Sequence, residues 1–466
     1  VTLEFNARKS GRHLRERPVV LPEQRLSWPR TIGFGAQHVV AMFGATFLFP
    51  VSMGLDPQLA IMTSGVSTIL FLLIVRGRVP SYLGSSAAFV GGAAAIYNQG
   101  GREADVTGSI LVAGVVLALV GVVIHFLGAP VVEAVLPPVV TGAVVMLIGL
   151  ALAPLVGQKF WPQDPWVAFA TMVFVTVLLV AGRGTFGRMA VLIGLVFGYV
   201  LSFVLDRLTG PINSIDPNTL TLRTRDRVNW SRLHDAPWIG LPPHTGGVTS
   251  DGTPIVGWHL PQFHWLFVLL VVPAVVALVA ENLGHVKAVS QMIDRDLDPY
   301  VGRTIAADGI TTVLASAVGS APTTTYAENI GVMAATRVYS VAAYYVAAVI
   351  AIVLGLSPKF GAIIEATPGG VIGGITVVLY GMIGLLGAKI WLVNRVDFGE
   401  PVNLVPVAAG VVVAIGGGIS LKFGDNYAFT GIALGSVVTI GGYHLARFAA
   451  VLVGTAPPKP RRRRLR

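Results

Sequence analysis

The chain contains no cysteine, which excludes a disulfide framework, a thiolate metal site and a cysteine nucleophile. Charge is scarce as well. Asp, Glu, Lys and Arg make up 12% of the 466 residues, against about 25% in ordinary soluble domains. There is no His-Glu-x-x-His, no Gly-x-Ser-x-Gly and no Gly-Lys-Ser/Thr following a glycine run. A zinc hydrolase, a nucleophile elbow and a phosphate loop are therefore not expected, nor is a bound metal or cofactor, and an enzyme is the poorer description.

Apolar residues make up 54% of the chain. Uncharged apolar runs recur at residues 31–54, 58–75, 106–132, 134–158, 165–182, 189–205, 338–358, 366–388 and 426–446. Several reach the roughly 20 residues that carry a helix across the hydrocarbon core. The expectation is an all-α polytopic membrane protein.

The net charge of +10 sits at the two ends. Residues 1–30 hold seven Lys or Arg against three Glu, and the chain finishes with Lys459 and five arginines within PKPRRRRLR. Such a tail can bind nucleic acid. The better expectation for 1–30 and 456–466 is a pair of cytoplasmic tails that meet anionic headgroups of an inner (plasma) membrane, with no nucleic-acid partner. Residues 1–30 are polar, contain proline and lack a small-residue cleavage site, so they do not read as a signal peptide.

Two hydrophobic halves, 31–205 and 263–455, flank a polar insert at 206–262 that contains Trp230, Trp238 and Trp258. Each half divides into about seven segments of spanning length. In both, the third is short and polar at its start: PSYLGSSAAFVGGAAAIYNQ at 80–99 and APTTTYAENIGVMAA at 321–335. Paired interruptions at matching places in two halves point to the binding site of a secondary transporter. A second match, Glu133-Ala-Val-Leu-Pro137 against Glu365-Ala-Thr-Pro368, supports the repeat. Seven spans per half would invert the second copy. With the N-terminus inside, Arg76, Arg78, Arg183, Arg188, Lys287, Arg295, Arg337, Lys389, Arg395 and Arg447 then fall on the cytoplasmic side, and the charge-balanced insert falls outside.

Polar groups inside the membrane mark function by default. Glu328 lies in the second interrupted segment. Glu281 and His285, four residues apart in AENLGH, share a helix face and are expected to touch and to carry a proton. The half-helix starts, Ser85-Ser86-Ala87 and Thr323 to Ala327, are expected to offer free backbone N–H groups and positive dipole ends. Two carboxylates and two sets of amides in an apolar slot suit a neutral planar heterocycle with both N–H and C=O groups. Asp308 is expected to bond toward neighbouring helices, while Glu133 and Glu365 belong at span ends.

The run Glu328-Asn329-Ile-Gly331-Val-Met-Ala-Ala-Thr336-Arg337 resembles the signature of the nucleobase-ascorbate transporter (nucleobase/cation symporter) family. QHVVAMFGATFLFPV with RVPSYLGSS, and AENLGH, are similar to its bacterial uracil permease branch. The resemblance spans about 33–452. It implies fourteen transmembrane segments in two inverted repeats of seven, core and gate domains, a homodimer, and import of uracil or a related pyrimidine with a proton. By motif position, Glu281 and Glu328 would bond the ring, and the amides of Ala87 and Ala327 would hold a ring carbonyl. His285 would couple protons with Glu281, Tyr326 would line the pocket, and His38, Asn329 and Ser86 would support it. The chain departs from the best-known member of that branch at Ala87 and Ala327, where Phe and Gly stand, both positions used through the backbone. A purine or xanthine permease of the same family, an anion exchanger of the same architecture and a non-transporting sensor are the alternatives.

Overall fold

A computed structural model describes residues 19–455, apart from 129, 183–186, 188, 217–220, 243–244, 249–253, 417 and 424–426. Most of both basic tails, Arg183 and Arg188 lie outside the described residues, as does the side chain of Glu133.

Helices dominate because the apolar runs have few other ways to satisfy their backbone in lipid. The first half holds α1 (Trp28–Ser52), α2 (Pro57–Ile74), strand β1 (Leu83–Ser85), α3 (Val90–Tyr97, entered through a 3-10 turn at Ala87–Phe89) and α4 (Glu103–Leu127). It continues with α5 (Pro130–Val135), α6 (Pro138–Ala151), irregular turns to Gln163, α7 (Pro165–Ala181) and α8 (Ala190–Thr209). The insert carries β2 (Ile212–Ile215), β3 (Leu222–Arg225), the short α9 (Ser231–Asp235), β4 (Thr245–Val248) and β5 (Pro254–Val256). Next come α10 (Trp265–Val271), α11 (Ala274–Ile293), α12 (Val301–Ala317), β6 (Thr323–Thr325) and α13 (Ala327–Thr336). Last are α14 (Val341–Gly355), α15 (Pro358–Glu365), α16 (Gly369–Val393), α17 (Pro401–Ile415), β7 (Ser420–Phe423), β8 (Tyr427–Thr430) and α18 (Gly431–Val453).

Proline at the first turn starts α2, α6, α7, α15 and α17, where its missing N–H costs nothing. Asp56 and Asp164 accept the first amides of α2 and α7. Among the described residues eight helices are long and apolar enough to cross a membrane, and the pair α14 and α15, bent by 82°, passes the same test together. Outward side chains such as Leu73, Phe126, Val180, Leu385 and Leu452 are apolar and exposed, as a lipid-facing surface requires.

The two interrupted segments have a common design. Each enters as a three-residue strand and continues as a helix of about half the bilayer's depth, since ten residues rise roughly 15 Å. Strands β1 and β6 pair antiparallel, with Leu83 opposite Thr325 and Ser85 opposite Thr323, so the strands' polar backbone groups are satisfied at depth. Around this crossing α2 packs on α14 and α4 on α12; further out, α6 packs on α16, α7 on α8 and α17 on α18. The α7–α8 pairing in the first half is matched by α17–α18 in the second, while the other three pairings join the two halves.

One face carries the N-terminal segment. Val20 N–H donates to Arg337 O at 3.0 Å, Tyr339 N–H donates to Val20 O, and Glu23 accepts two bonds from Arg295. The insert lies at the opposite ends of the helices, where Val256 bridges to Leu55 and Gln262 N–H reaches Ala104 O.

Candidate functional site

The site assembles where α11 passes the starts of both half-helices, packing against the Ala87–Phe89 turn, β6 and α13. Glu281 and Glu328 come from these two helices, and each opens the same four-residue pattern: Glu281-Asn282-Leu283-Gly284 and Glu328-Asn329-Ile330-Gly331. On a helix the first and fourth positions share a face. Glu328, Gly331 and Ala334 are exposed along one side of α13, while Gly284 is exposed and Glu281 half-buried on α11. A methyl group built on either glycine would meet nothing within 4 Å. Each carboxylate therefore shares a helix face with a glycine that borders open space.

The second residue of each pattern turns into the protein instead. Asn282 is fully buried; its Nδ2 donates to Leu278 O and, at 2.7 Å, to Asp308 Oδ2. Both partners are acceptors, which fixes the amide's orientation. Its Oδ1 accepts the Thr325 hydroxyl at 3.3 Å, and the Thr325 oxygen lies 2.8 Å from His285 Nδ1. The single hydroxyl proton goes to Asn282, so His285 Nδ1 carries a hydrogen and donates it to Thr325. In the neutral form of the ring Nε2 is then the acceptor.

Asn329 does the same on the other side. Its Nδ2 donates to His38 O at 3.0 Å and to His38 Nδ1 at 3.1 Å, which makes Nδ1 the acceptor there and gives His38 the opposite tautomer. His38 is buried against the Tyr344 ring, with centroids 4.3 Å apart.

These contacts correct two expectations. His285 bonds Thr325, not Glu281, because β6 crosses within reach of α11 and offers a hydroxyl. Only part of the expected amide set is free: Ser86 N–H is spent on Pro322 O and Tyr326 N–H on Tyr82 O in the strand ladder. The Ser86 hydroxyl instead caps the first turn by accepting Ala88 N–H at 3.3 Å. Ala87 and Ala327 begin their helices beyond the ladder, and their amides meet no acceptor among the described residues. Ala327 is exposed and Ala87 half-buried.

Tyr326 proves to be a brace. It is 3% exposed, its hydroxyl donates to Ser85 O at 2.8 Å and accepts from Thr46 at 3.1 Å, and its ring lies over Gly84. Asp308 bonds toward α11 as expected, and its Oδ1 is buried with no hydrogen bond among the described residues. Asn282 and Thr325 were missed by the sequence reading. The doubled Glu-Asn-x-Gly was the available signal.

A sequence profile for the Permease family (Xan_ur_permease) matches residues 29–423. A putative pyrimidine permease, RutG, of Escherichia coli K12 is 42% identical over 445 residues, 94% of this chain and 92% of that protein. The uracil permease of Bacillus caldolyticus is 36% identical over 434 residues, covering 91% and 94%. Solved structures share the fold at low identity. The murine Slc26a9 anion transporter in its inward-facing state aligns with a TM-score of 0.63 at 11% identity, covering 92% of this chain and 69% of that one. The transmembrane domain of the cyanobacterial bicarbonate transporter BicA aligns with a TM-score of 0.55 at 14% identity, covering 89% and 96%. With a profile match across most of its length and relatives above 30% identity over nearly all of it, the chain belongs to the Permease family and is a multi-pass membrane permease, not an enzyme.

Proposed function

We propose that this permease imports uracil or a closely related pyrimidine base together with a proton. The observation that carries the proposal is that Glu281 and Glu328 stand on two helices in contact, α11 and α13, near Ala87 and Ala327, whose amides meet no acceptor among the described residues. Carboxylates accept ring N–H groups and amides donate to ring C=O groups, so a neutral ring with both is complementary on every edge. An inorganic anion would meet two acidic side chains with only neutral donors to offset them. The names of the pyrimidine and uracil permeases among the relatives support the same substrate class.

A carboxylate at membrane depth is costly to leave charged, and a proton removes that cost. In the proposal Glu281 takes up a proton as the base binds and gives it up on the inner side. Asp308, Asn282, Thr325 and His285 form the hydrogen-bonded chain behind it. Tyr326 and the β1–β6 ladder hold both half-helix starts in register, so the site moves as part of a core built from residues before α5 and from α10 to α14, against a gate formed by the remaining spans. Fourteen segments in two inverted repeats and a homodimer complete the proposed architecture. The mirrored helix pairings support the repeat. Clustering of Arg76, Arg78, Arg295 and Arg337 with the N-terminal segment supports a cytoplasmic position for that face and for both termini of an inner-membrane protein.

The test is uptake of radiolabelled uracil into proteoliposomes with and without an inward proton gradient. Wild type should accumulate uracil only with the gradient, Glu328→Gln should lose at least about tenfold in uptake, equivalent to the roughly 1.5–3 kcal/mol of a hydrogen bond to a charged group, and Glu281→Gln should bind but fail to accumulate. Uphill uptake by Glu281→Gln at the wild-type rate would refute proton coupling through that residue. Uptake of bicarbonate or sulfate in place of uracil would overturn the substrate.

A further inference from the structure

A cavity of about 1170 Å³ opens on the face that carries the N-terminal segment, away from the glutamate pair. Its walls contribute four guanidinium groups, from Arg25, Arg76, Arg78 and Arg295, and one carboxylate, Glu23. That carboxylate is already engaged by Arg295, at 2.6 and 3.0 Å. Arg76 and Arg78 are exposed and make no ion pair among the described residues. The turn that presents them is built for display, because Arg76 and Gly77 both take left-handed conformations, with φ of 54° and 64°. Among the described residues, Glu23 is the one carboxylate that lines the space on which these cationic groups converge.

The place of this cavity says which anion fits. Arg76 and Arg78 follow the last turn of α2, Arg25 precedes α1 with its guanidinium over the Trp28 ring at 4.4 Å, and Arg295 follows α11. All four stand at span ends, at the depth of lipid headgroups. The rim is apolar on its outer side, where Leu73 is 60% exposed. On the same pair of packed helices, Val66 of α2 and Val349 and Val353 of α14 are exposed as well. A ligand with a phosphate head and long acyl chains satisfies both parts. We propose that this cavity is a binding site for an anionic phospholipid, its phosphate held by Arg76 and Arg78 and its chains lying along the seam of α2 and α14.

The occupant would bear on transport through the segment that forms the cavity's roof. Pro22 O accepts Val341 N–H, Gln24 O accepts the Ser340 hydroxyl, and Val20 pairs with Arg337 and Tyr339. These residues directly follow α13, the helix of Glu328. Arg295 follows the end of the helix of Glu281.

The experiment is native mass spectrometry and thermal melting of the full chain with added phosphatidylglycerol, phosphatidylcholine or inorganic phosphate. Wild type should retain phosphatidylglycerol and gain melting temperature from it. Loss of one arginine should weaken that binding roughly fivefold and Arg76→Gln with Arg78→Gln roughly 30-fold, from the contribution of each basic residue near an anionic headgroup. Arg395→Gln, a basic span end outside the cavity, should bind as wild type does. Equal retention of phosphatidylglycerol by the double variant would overturn the proposal. So would stabilisation by inorganic phosphate alone, which would make this a soluble-anion site. Because the readout is lipid retention, it stands or falls independently of the substrate.

Discussion

At the scale of single residues, the site depends on two asparagines that leave the glutamates free. Asn282 and Asn329 each spend their donors on the protein interior, so Glu281 and Glu328 keep their oxygens for the open side. Thr325 is the link to test, since its hydroxyl joins Asn282 to His285. Thr325→Val should keep the volume but leave buried polar atoms unpaired, costing about 1–3 kcal/mol, read as a lower melting temperature and a loss of gradient-driven uptake. Thr325→Ser should restore both. The two glutamates were legible because acids are rare at membrane depth. The partner of His285 was not, since helical spacing pointed to Glu281 while the actual partner arrives from a strand 40 residues further on.

At the scale of elements, the paired broken segments were visible as short runs rich in Ser, Thr, Gly and Pro between apolar spans. Their pairing as β1 and β6 was not, because a three-residue strand has no periodicity to read. Gly84 shows what the crossing demands: a methyl group there would lie 2.4 Å from the Tyr326 ring and 2.5 Å from the Thr46 hydroxyl. Gly84→Ala should destabilise by about 1–3 kcal/mol. Gly331→Ala, with nothing within 4 Å, should leave the melting temperature unchanged or raise it, gaining up to about 1 kcal/mol of helix propensity. Comparing the two melting temperatures separates a packed glycine from one that lines open space.

The N-terminal segment supplies a pH-dependent element. The Arg295 guanidinium hydrogen-bonded to Glu23 holds its carboxyl below the ordinary carboxylate value. A lowered folded-state value means the contact contributes above the ordinary value of 4.5 and is lost as pH falls through the lowered one. Glu23→Gln should therefore melt slightly below wild type at neutral pH. The difference should vanish in acid well under pH 4.5, and its persistence there would show that charge is not what holds the segment.

At the scale of the whole molecule, the insert acts as a tie on the face away from the N-terminal segment. Arg227 bridges Asp164 at 2.9 Å and Asp206 at 3.1 Å, joining the start of α7 to the end of α8, with all three side chains at most 14% exposed. Arg227→Met would strand two carboxylates, and such losses cost about 3–5 kcal/mol. Arg223→Met removes a pair whose arginine is 61% exposed, worth about 0–1 kcal/mol at a surface. Melting and protease sensitivity of the insert should separate the two variants. The insert's placement opposite the basic span ends was readable from charge asymmetry, whereas Arg227's role was hidden in a stretch whose charges balance in sum.

The antiparallel crossing of β1 and β6 also sets a timetable for biogenesis. Tyr326 and the Ser85 carbonyl it caps are 241 positions apart, so at about 5–20 residues per second the ribosome needs roughly 12–48 s to deliver the second strand after the first. Throughout that interval β1 has no ladder partner, and unpaired backbone in hydrocarbon is expensive. The first half must then wait in a wet or shielded environment, and the centre of the permease closes only when synthesis of its second half is well advanced.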